Sequence, residues 1–407
     1  MAIVSDLLKL TPVAGIRLGT VSAGVKTPGR KDLVLVEMVA GSACAAVFTL
    51  NAFCAAPVII ARDHWKNSAG GVRYLLVNTG NANAGTGEPG IADAMECLGA
   101  AAHITGAQAV QILPFSTGVI GERLPVDKIC DAIPAAFEAL SEQGWADAAE
   151  GILTTDTKAK GFSVGFNCDG KDYVVTGIAK GAGMIRPNMA TMLAYLATDM
   201  AIEESLLQEI LRSAMDTSFH RITVDGDTST NDACVLMATG KAGNTLVTEP
   251  DSALFRSLRE AVEEVCILLA QSLVRDGEGA SKFVTVEVVG GQAEPECLDV
   301  AFTVAHSPLV KTALFASDPN WGRLLAAIGR AGVKDLDVNK VAVYINDILI
   351  AENGCRAASY AEEQGVAAMA PTDIVIRIEL HRGDSKVRVW TTDFSYDYVR
   401  INAEYRT

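Results

Sequence analysis

The stretch Lys180-Gly181-Ala182-Gly183-Met184-Ile185-Arg186-Pro187-Asn188-Met189-Ala190-Thr191-Met192-Leu193 constrains this chain more than any other part of it. Two glycines let the backbone bend tightly, and a proline fixes the angle at which it leaves the bend. The apolar run from Thr191 to Ala197 then reads as a buried strand, so a hydroxyl stands at a loop-to-strand junction. A threonine hydroxyl is a weak nucleophile until a base takes its proton, and a threonine that begins a chain carries that base as its own amine. A free α-amine has a pKa of about 8, whereas an amide nitrogen cannot accept the proton. Thr191 is internal, so this chemistry demands scission between Ala190 and Thr191. Attack of the Thr191 hydroxyl on the preceding carbonyl would turn the amide into an ester that water can open. The alternative is a Gly-rich turn entering a core strand whose first residue happens to be Thr.

A chain of 407 residues is expected to form two or three packed subdomains. Its 49% hydrophobic and 20% charged residues are those of an ordinary globular protein. The net charge of −15 argues against nucleic acid or an anionic membrane as partner. Nine cysteines are scattered without a C-x-x-C and no signal peptide precedes them, which points to a reducing cytoplasm. None of the five histidines falls in a metal-hydrolase frame, so no metal is expected. No apolar run reaches the roughly 18 residues of a membrane span. Even the helix predicted from Leu254 to Val274 is interrupted by Arg256, Arg259, Glu260, Glu263 and Glu264.

Strands are predicted over Asp32 to Met38, Ala45 to Leu50, Val72 to Val77 and Gln108 to Pro114, with helices near Ile91 to Ala102, Val126 to Leu140 and Trp145 to Leu153. The loop from Asn78 to Gly87 could cradle an anion or serve as a structural turn; it lacks both the G-x-G-x-x-G frame and a G-K-[ST] ending. Ser116-Thr117-Gly118, placed after a strand, suits an oxyanion hole or is only a turn. Thr154-Thr155-Asp156-Thr157 could bind a polar substrate or cap backbone groups. A hairpin from Ser163 to Gly177, turning at Asp169-Gly170, delivers the chain to Lys180.

Beyond Thr191 a helix is expected from Glu203 to about Phe219. Val224 to Asp232 looks like a calcium loop, but the EF-hand spacing fails, which favours polar groups bracing the backbone. Glu278 lies between two glycines in Arg275-Asp276-Gly277-Glu278-Gly279-Ala280, where a carboxylate can face an amine or merely end a helix in solvent. Ala316 to Arg323 reads as a loop. Strands Val341 to Ile350 and Asp373 to Leu380, then a hairpin through Arg382-Gly383-Asp384, imply a mixed or antiparallel C-terminal sheet. No repeat or linker divides the chain.

Lys180 to Leu193, the Thr117-Gly118 pair, Val224 to Asp232, Arg275 to Lys282, Ala316 to Arg323 and Ile401 to Thr407 together resemble the ornithine acetyltransferase (glutamate N-acetyltransferase) family of arginine biosynthesis. The resemblance runs from about Gly15 to Thr407. It implies an α/β (α+β), self-cleaving N-terminal-nucleophile enzyme, cut at Ala190-Thr191 into an α chain of residues 1–190 and a β chain of 191–407. The two would stay interlocked, as a heterotetramer of two α and two β chains.

By the same resemblance Thr191 carries the acetyl group, and Thr117 and Gly118 form the oxyanion hole. Thr154 or Thr155, Lys180, Glu278, Asn402 and Thr407 grip the amino acid. Acetyl would pass from N2-acetyl-L-ornithine to L-glutamate with ping-pong kinetics and no required cofactor, with acetyl-CoA as a possible second donor. Two rivals remain: an N-terminal-threonine hydrolase of the amidohydrolase or aminopeptidase kind, and an amino-acid-binding module that is never cut.

Overall fold

The computed structural model describes residues 8–68, 70–186 and 192–404. The elements of the first half are β1 (Ile16–Val21), β2 (Leu33–Met38), β3 (Ala43–Phe48), α1 (Ala56–Asn67), β4 (Tyr74–Asn81) and α2 (Gly87–Thr105). They continue with β5 (Ile112–Val119), α3 (Val126–Glu138), α4 (Trp145–Gly151), β6 (Lys160–Cys168) and β7 (Lys171–Lys180). After the undescribed residues 187–191 come β8 (Leu193–Thr198), α5 (Glu204–Thr217), β9 (Ala233–Ala238) and α6 (Ala253–Arg275).

These strands form two sheets, one in the order β1-β2-β4-β5 and the other β3-β9-β8-β7-β6. The period of two along a strand sorts the side chains. In β2, Leu33 and Leu35 join the core shared with α2 and α3, while Val34, Val36 and Met38 join the core shared with the second sheet. Strands buried on both faces read as continuous apolar runs, which is why β2 and β8 are legible in the sequence. Phe115 of β5 meets Tyr195 of β8 edge to face across the sheets, at 5.4 Å between ring centroids. On the far side of the second sheet α6 lies over Gly177, where an added Cβ would sit 2.9 Å from Val265. The result is a four-layer helix–sheet–sheet–helix unit, drawing on described residues 8–181, 192–220 and 228–273.

The second unit takes residues 182–186, 221–227 and 274–404. Its elements are β10 (Phe283–Gly291), α7 (Glu294–Ala305), α8 (Pro308–Phe315), α9 (Trp321–Gly329), β11 (Ala342–Ile345), β12 (Ile348–Glu352) and β13 (Cys355–Arg356). They close with α10 (Glu362–Met369), β14 (Asp373–Glu379), β15 (Ser385–Thr392) and α11 (Tyr396–Glu404). The strands make a mixed sheet in the order β13-β12-β11-β14-β10-β15, packed against α7, α8 and α9.

Four expectations need correction. The strand predicted over Val341 to Ile350 is two strands, because Asn346 adopts φ +50° and turns the chain between them. The Arg382-Gly383-Asp384 connection is not a hairpin: β10 lies between β14 and β15, parallel to the first and antiparallel to the second. The strand after Gln108 starts only at Ile112 and runs on to Val119, so Ser116-Thr117-Gly118 lies inside it rather than after it. Ala316 to Arg323 enters a helix at Trp321, with the Asn320 side chain accepting from the Arg323 N–H at 3.1 Å.

Candidate active site

In the first unit the site is built at the ends of strands. β4 and β5 run parallel, with Thr79 opposite Thr117 and Gly80 opposite Gly118. Gly118 has φ +138°, and a Cβ there would lie 2.3 Å from the Gly80 carbonyl carbon and 2.5 Å from the Asn81 nitrogen. Only glycine fits so close an approach of two backbones. The polar side chains of the Asn78 to Gly87 loop are engaged within the protein. Asn83 donates to the Gly90 carbonyl at 2.8 Å, Asn81 to the Arg123 carbonyl at 3.0 Å, and Asn78 accepts from the Ser116 hydroxyl at 2.6 Å. These side chains brace the turn and its neighbours.

Lys180 ends β7 and is 3% exposed, and its Nζ donates to Thr117 Oγ1 at 2.9 Å. With that oxygen accepting, the Thr117 proton is left to point elsewhere. Register places Lys180 opposite Leu193 and Leu193 opposite Ala233, so β7 and β8, which flank the Ala190-Thr191 bond in sequence, are hydrogen-bonded neighbours.

Two buried carboxylates stand nearby with opposite character. Asp156 Oδ1 accepts from Lys160 Nζ at 2.7 Å and from the Gly181 N–H at 2.6 Å, while Oδ2 accepts from the Thr154 N–H at 3.1 Å. Burial alone would raise its pKa, but the Lys160 and Lys180 charges and these bonds hold it well below the carboxylate range. Asp232 is 2% exposed, and its Oδ1 accepts from the Met192 N–H at 2.9 Å. Here burial wins over that bond, the Ser229 hydroxyl and the Lys180 charge, and the pKa is pushed well above the ordinary value.

In the second unit, Glu278 sits on the turn after α6, with its N–H donating to the Ala182 carbonyl at 2.8 Å. Its Oε2 accepts from Asn402 Nδ2 of α11 at 2.8 Å. The carboxylate lies against Gly183, where a Cβ would fall 2.4 Å from Oε2. Gly279 takes φ +67°, and its carbonyl accepts from Ser395 Oγ at 2.6 Å, which ties the turn to the start of α11. Asp225 receives the Met184 and Ile185 N–H groups at 2.6 and 2.9 Å, so the run after Val224 braces backbone as expected. Among the described residues no group of His, Cys, Asp and Glu could hold a metal ion.

Of the residues singled out by sequence, Thr117 and Lys180 are brought together in one unit, and Glu278 and Asn402 in the other. Thr154 and Thr155 are half-buried, and the Thr154 carbonyl accepts from Arg30 Nη2 at 3.2 Å. Ala190, Thr191 and Thr407 lie outside the described residues. Sequence reasoning missed Asp156, Lys160, Asp232 and Gly183 as individuals. Asp156 lies in the loop after α4 and Lys160 opens β6, so their i, i+4 spacing is not a helical one and gave no local signal.

All nine cysteines are free, and no described helix is long and apolar enough to cross a membrane. The sequence model of the ArgJ family matches residues 17–407. The chain is 60% identical to the arginine biosynthesis bifunctional protein ArgJ of Pseudomonas syringae pv. tomato, over 98% of each chain. It is 56% identical to the protein of the same name from Methylococcus capsulatus, covering 98% of this chain and 97% of the other. A crystal structure of the arginine biosynthesis bifunctional protein from Bacillus halodurans is 38% identical and covers 51% of this chain and 97% of that one, with a TM-score of 0.49.

Proposed function

Because the chain belongs to the ArgJ family, we propose that it carries acetyl from N2-acetyl-L-ornithine to L-glutamate on Thr191, as an acetyltransferase of arginine biosynthesis. In the precursor, Thr191 Oγ attacks the Ala190 carbonyl carbon, its proton passes to the nitrogen, and the C–N bond breaks to leave an ester. Water then opens the ester, giving an Ala190 carboxylate and a Thr191 with free amine and hydroxyl. In the mature enzyme that amine takes the hydroxyl proton as Oγ attacks the acetyl carbonyl, and it returns the proton to the departing ornithine amine. Glutamate's amine then attacks the acetyl ester and frees Thr191.

The observation that carries this reading is the Lys180–Thr117 hydrogen bond beside the strand pair flanking residues 187–191. Lys180 orients the Thr117 hydroxyl as a donor, and with the Gly118 N–H it would hold the oxyanion. Lys180 also offers a cation to a substrate carboxylate, and Glu278, in its own unit, an anion to a substrate ammonium. Thr154 or Thr155, Asn402 and Thr407 complete the proposed contacts. Since β7 and β8 pair along their length, the α and β chains of residues 1–190 and 191–407 would stay joined after the cut. We assign the assembled form to two α and two β chains in the cytoplasm, with acetyl-CoA as a second donor and neither metal nor resident cofactor required.

Intact mass under denaturing conditions should show two fragments for the wild type and one uncut chain of 42.8 kDa for Thr191→Ala, which should also lose transfer. Normal turnover by an uncut chain would sink the nucleophile assignment. Acetate release without any amine acceptor would move the reading to a hydrolase.

A further inference from the structure

Asp232 is a buried carboxyl with no part in the transfer chemistry described above. It stands just before β9, and its backbone is anchored there, since its carbonyl accepts from the Thr49 N–H at 2.9 Å and the next residue begins the strand. Its Oδ1 takes the Met192 N–H at 2.9 Å, and the Met192 carbonyl takes the Ala233 N–H at 3.2 Å. Met192 is thus gripped on both its N–H and its carbonyl from one side, before β8 begins at Leu193. The second oxygen, Oδ2, is buried, and the Ser229 hydroxyl also bears on this carboxyl.

Beyond the Ser229 hydroxyl, this carboxyl serves a backbone N–H, and burying a carboxyl is an expensive way to do so, because a chain entering a sheet can satisfy that group through the ladder itself. The N–H in question belongs to the peptide bond joining Met192 to Thr191. A group that fixes this N–H fixes one end of the nucleophile's own peptide unit, which is planar and therefore transmits orientation. Intramolecular attack at a peptide carbonyl depends on such orientation, and small misplacements of the reacting groups cost large factors in rate.

We infer that Asp232 is a positioning residue for the self-processing step, acting through its hydrogen bond to the Met192 N–H. The inference rests on the reading that the chain is cut at Ala190-Thr191. Burial pushes the pKa of this carboxyl well up and so disfavours its charged form. An amide of the same shape therefore offers Met192 the same acceptor, and a methyl group offers none.

The experiment follows the uncut band on a denaturing gel over time for freshly purified wild type, Asp232→Asn and Asp232→Ala, alongside thermal melting of each. Asn should cut within about threefold of wild type, while Ala should slow cutting by roughly 10²-fold, the scale expected for a misplaced reacting group. That rescue by Asn and loss in Ala separates positioning from a purely structural role, which melting would report for both variants. Wild-type cutting in Ala, or an equal loss in both variants, overturns the inference. Where Ala gives no folded protein, Asn decides alone: retained cutting supports the inference and lost cutting overturns it. An uncut yet active wild type would fell the parent reading instead, which keeps the two failures distinct.

Discussion

The two units hold their charged groups by different means. In the first, Asp156, Lys160 and Lys180 are 9%, 3% and 3% exposed and fixed by strand ends, so the buried charges compensate one another over short, backbone-anchored distances. In the second, Glu278 rides a glycine turn and is held by Asn402, an exposed residue of the last helix. The second unit also contains a buried cation, Lys311, whose Nζ reaches a hydroxyl, a carbonyl and an aromatic face. The difference teaches that burial by itself does not set a group's charge. Asp156 is held ionised because ammonium groups face it, whereas burial pushes Lys311 down to about 7 because the carboxylates of Asp393 and Asp225 only partly offset it.

The sharpest way to break this contrast is Asp156→Ala, which takes from buried Lys160 the carboxylate it donates to at 2.7 Å. Removing one member of a buried pair costs about 3–5 kcal/mol, and urea titration should show a loss of that size at pH 7. The folded pKa is depressed, so the carboxylate's contribution is complete above the unfolded value of about 3.9 and disappears as pH falls below it. Wild type and variant should therefore converge in strongly acidic buffer; a constant gap there would refute the charge explanation.

Lys311→Met tests the opposite case. A lysine lowered from 10.5 to about 7 binds fewer protons folded than unfolded between those values, so wild-type stability should rise with pH across that window. The variant should lack this rise and be more stable at pH 7 by about 1–4 kcal/mol, as for other buried ionic groups replaced by apolar ones. A destabilised variant with an unchanged pH profile would show that the hydrogen bonds of Lys311 outweigh its burial.

Gly183→Ala should have the smallest effect on stability, less than about 1 kcal/mol, because the carboxylate it meets ends a flexible side chain. Its effect on the site should be larger. The new methyl would push Glu278 off Asn402, so KM for the amino-acid substrates should rise more than kcat falls. Equal KM values would remove Glu278 from substrate binding.

Local pattern explains which elements were legible. β2, β8 and α6 each repeat one apolar period long enough to be read alone, and the glycines at 118 and 183 mark close approaches without naming what approaches. The β14–β15 hairpin was misread because two strands joined by a short polar turn look alike whether they pair with each other or with a third. Asp156 was invisible for a similar reason. Among hydroxyls at the end of a helix it looks like a cap, and only the fold brings Lys160, Gly181 and the Lys180 charge to it.

The chain's own order of residues determined the layered α/β character, the buried strand that follows Thr191 and the family, because periodicity and contiguous motifs are local properties. The partners of each buried charge were decided by tertiary structure alone. Whether a carboxyl is ionised depends on what stands within a few ångströms of it, and for Asp156 and Asp232 much of that arrives from distant parts of the chain.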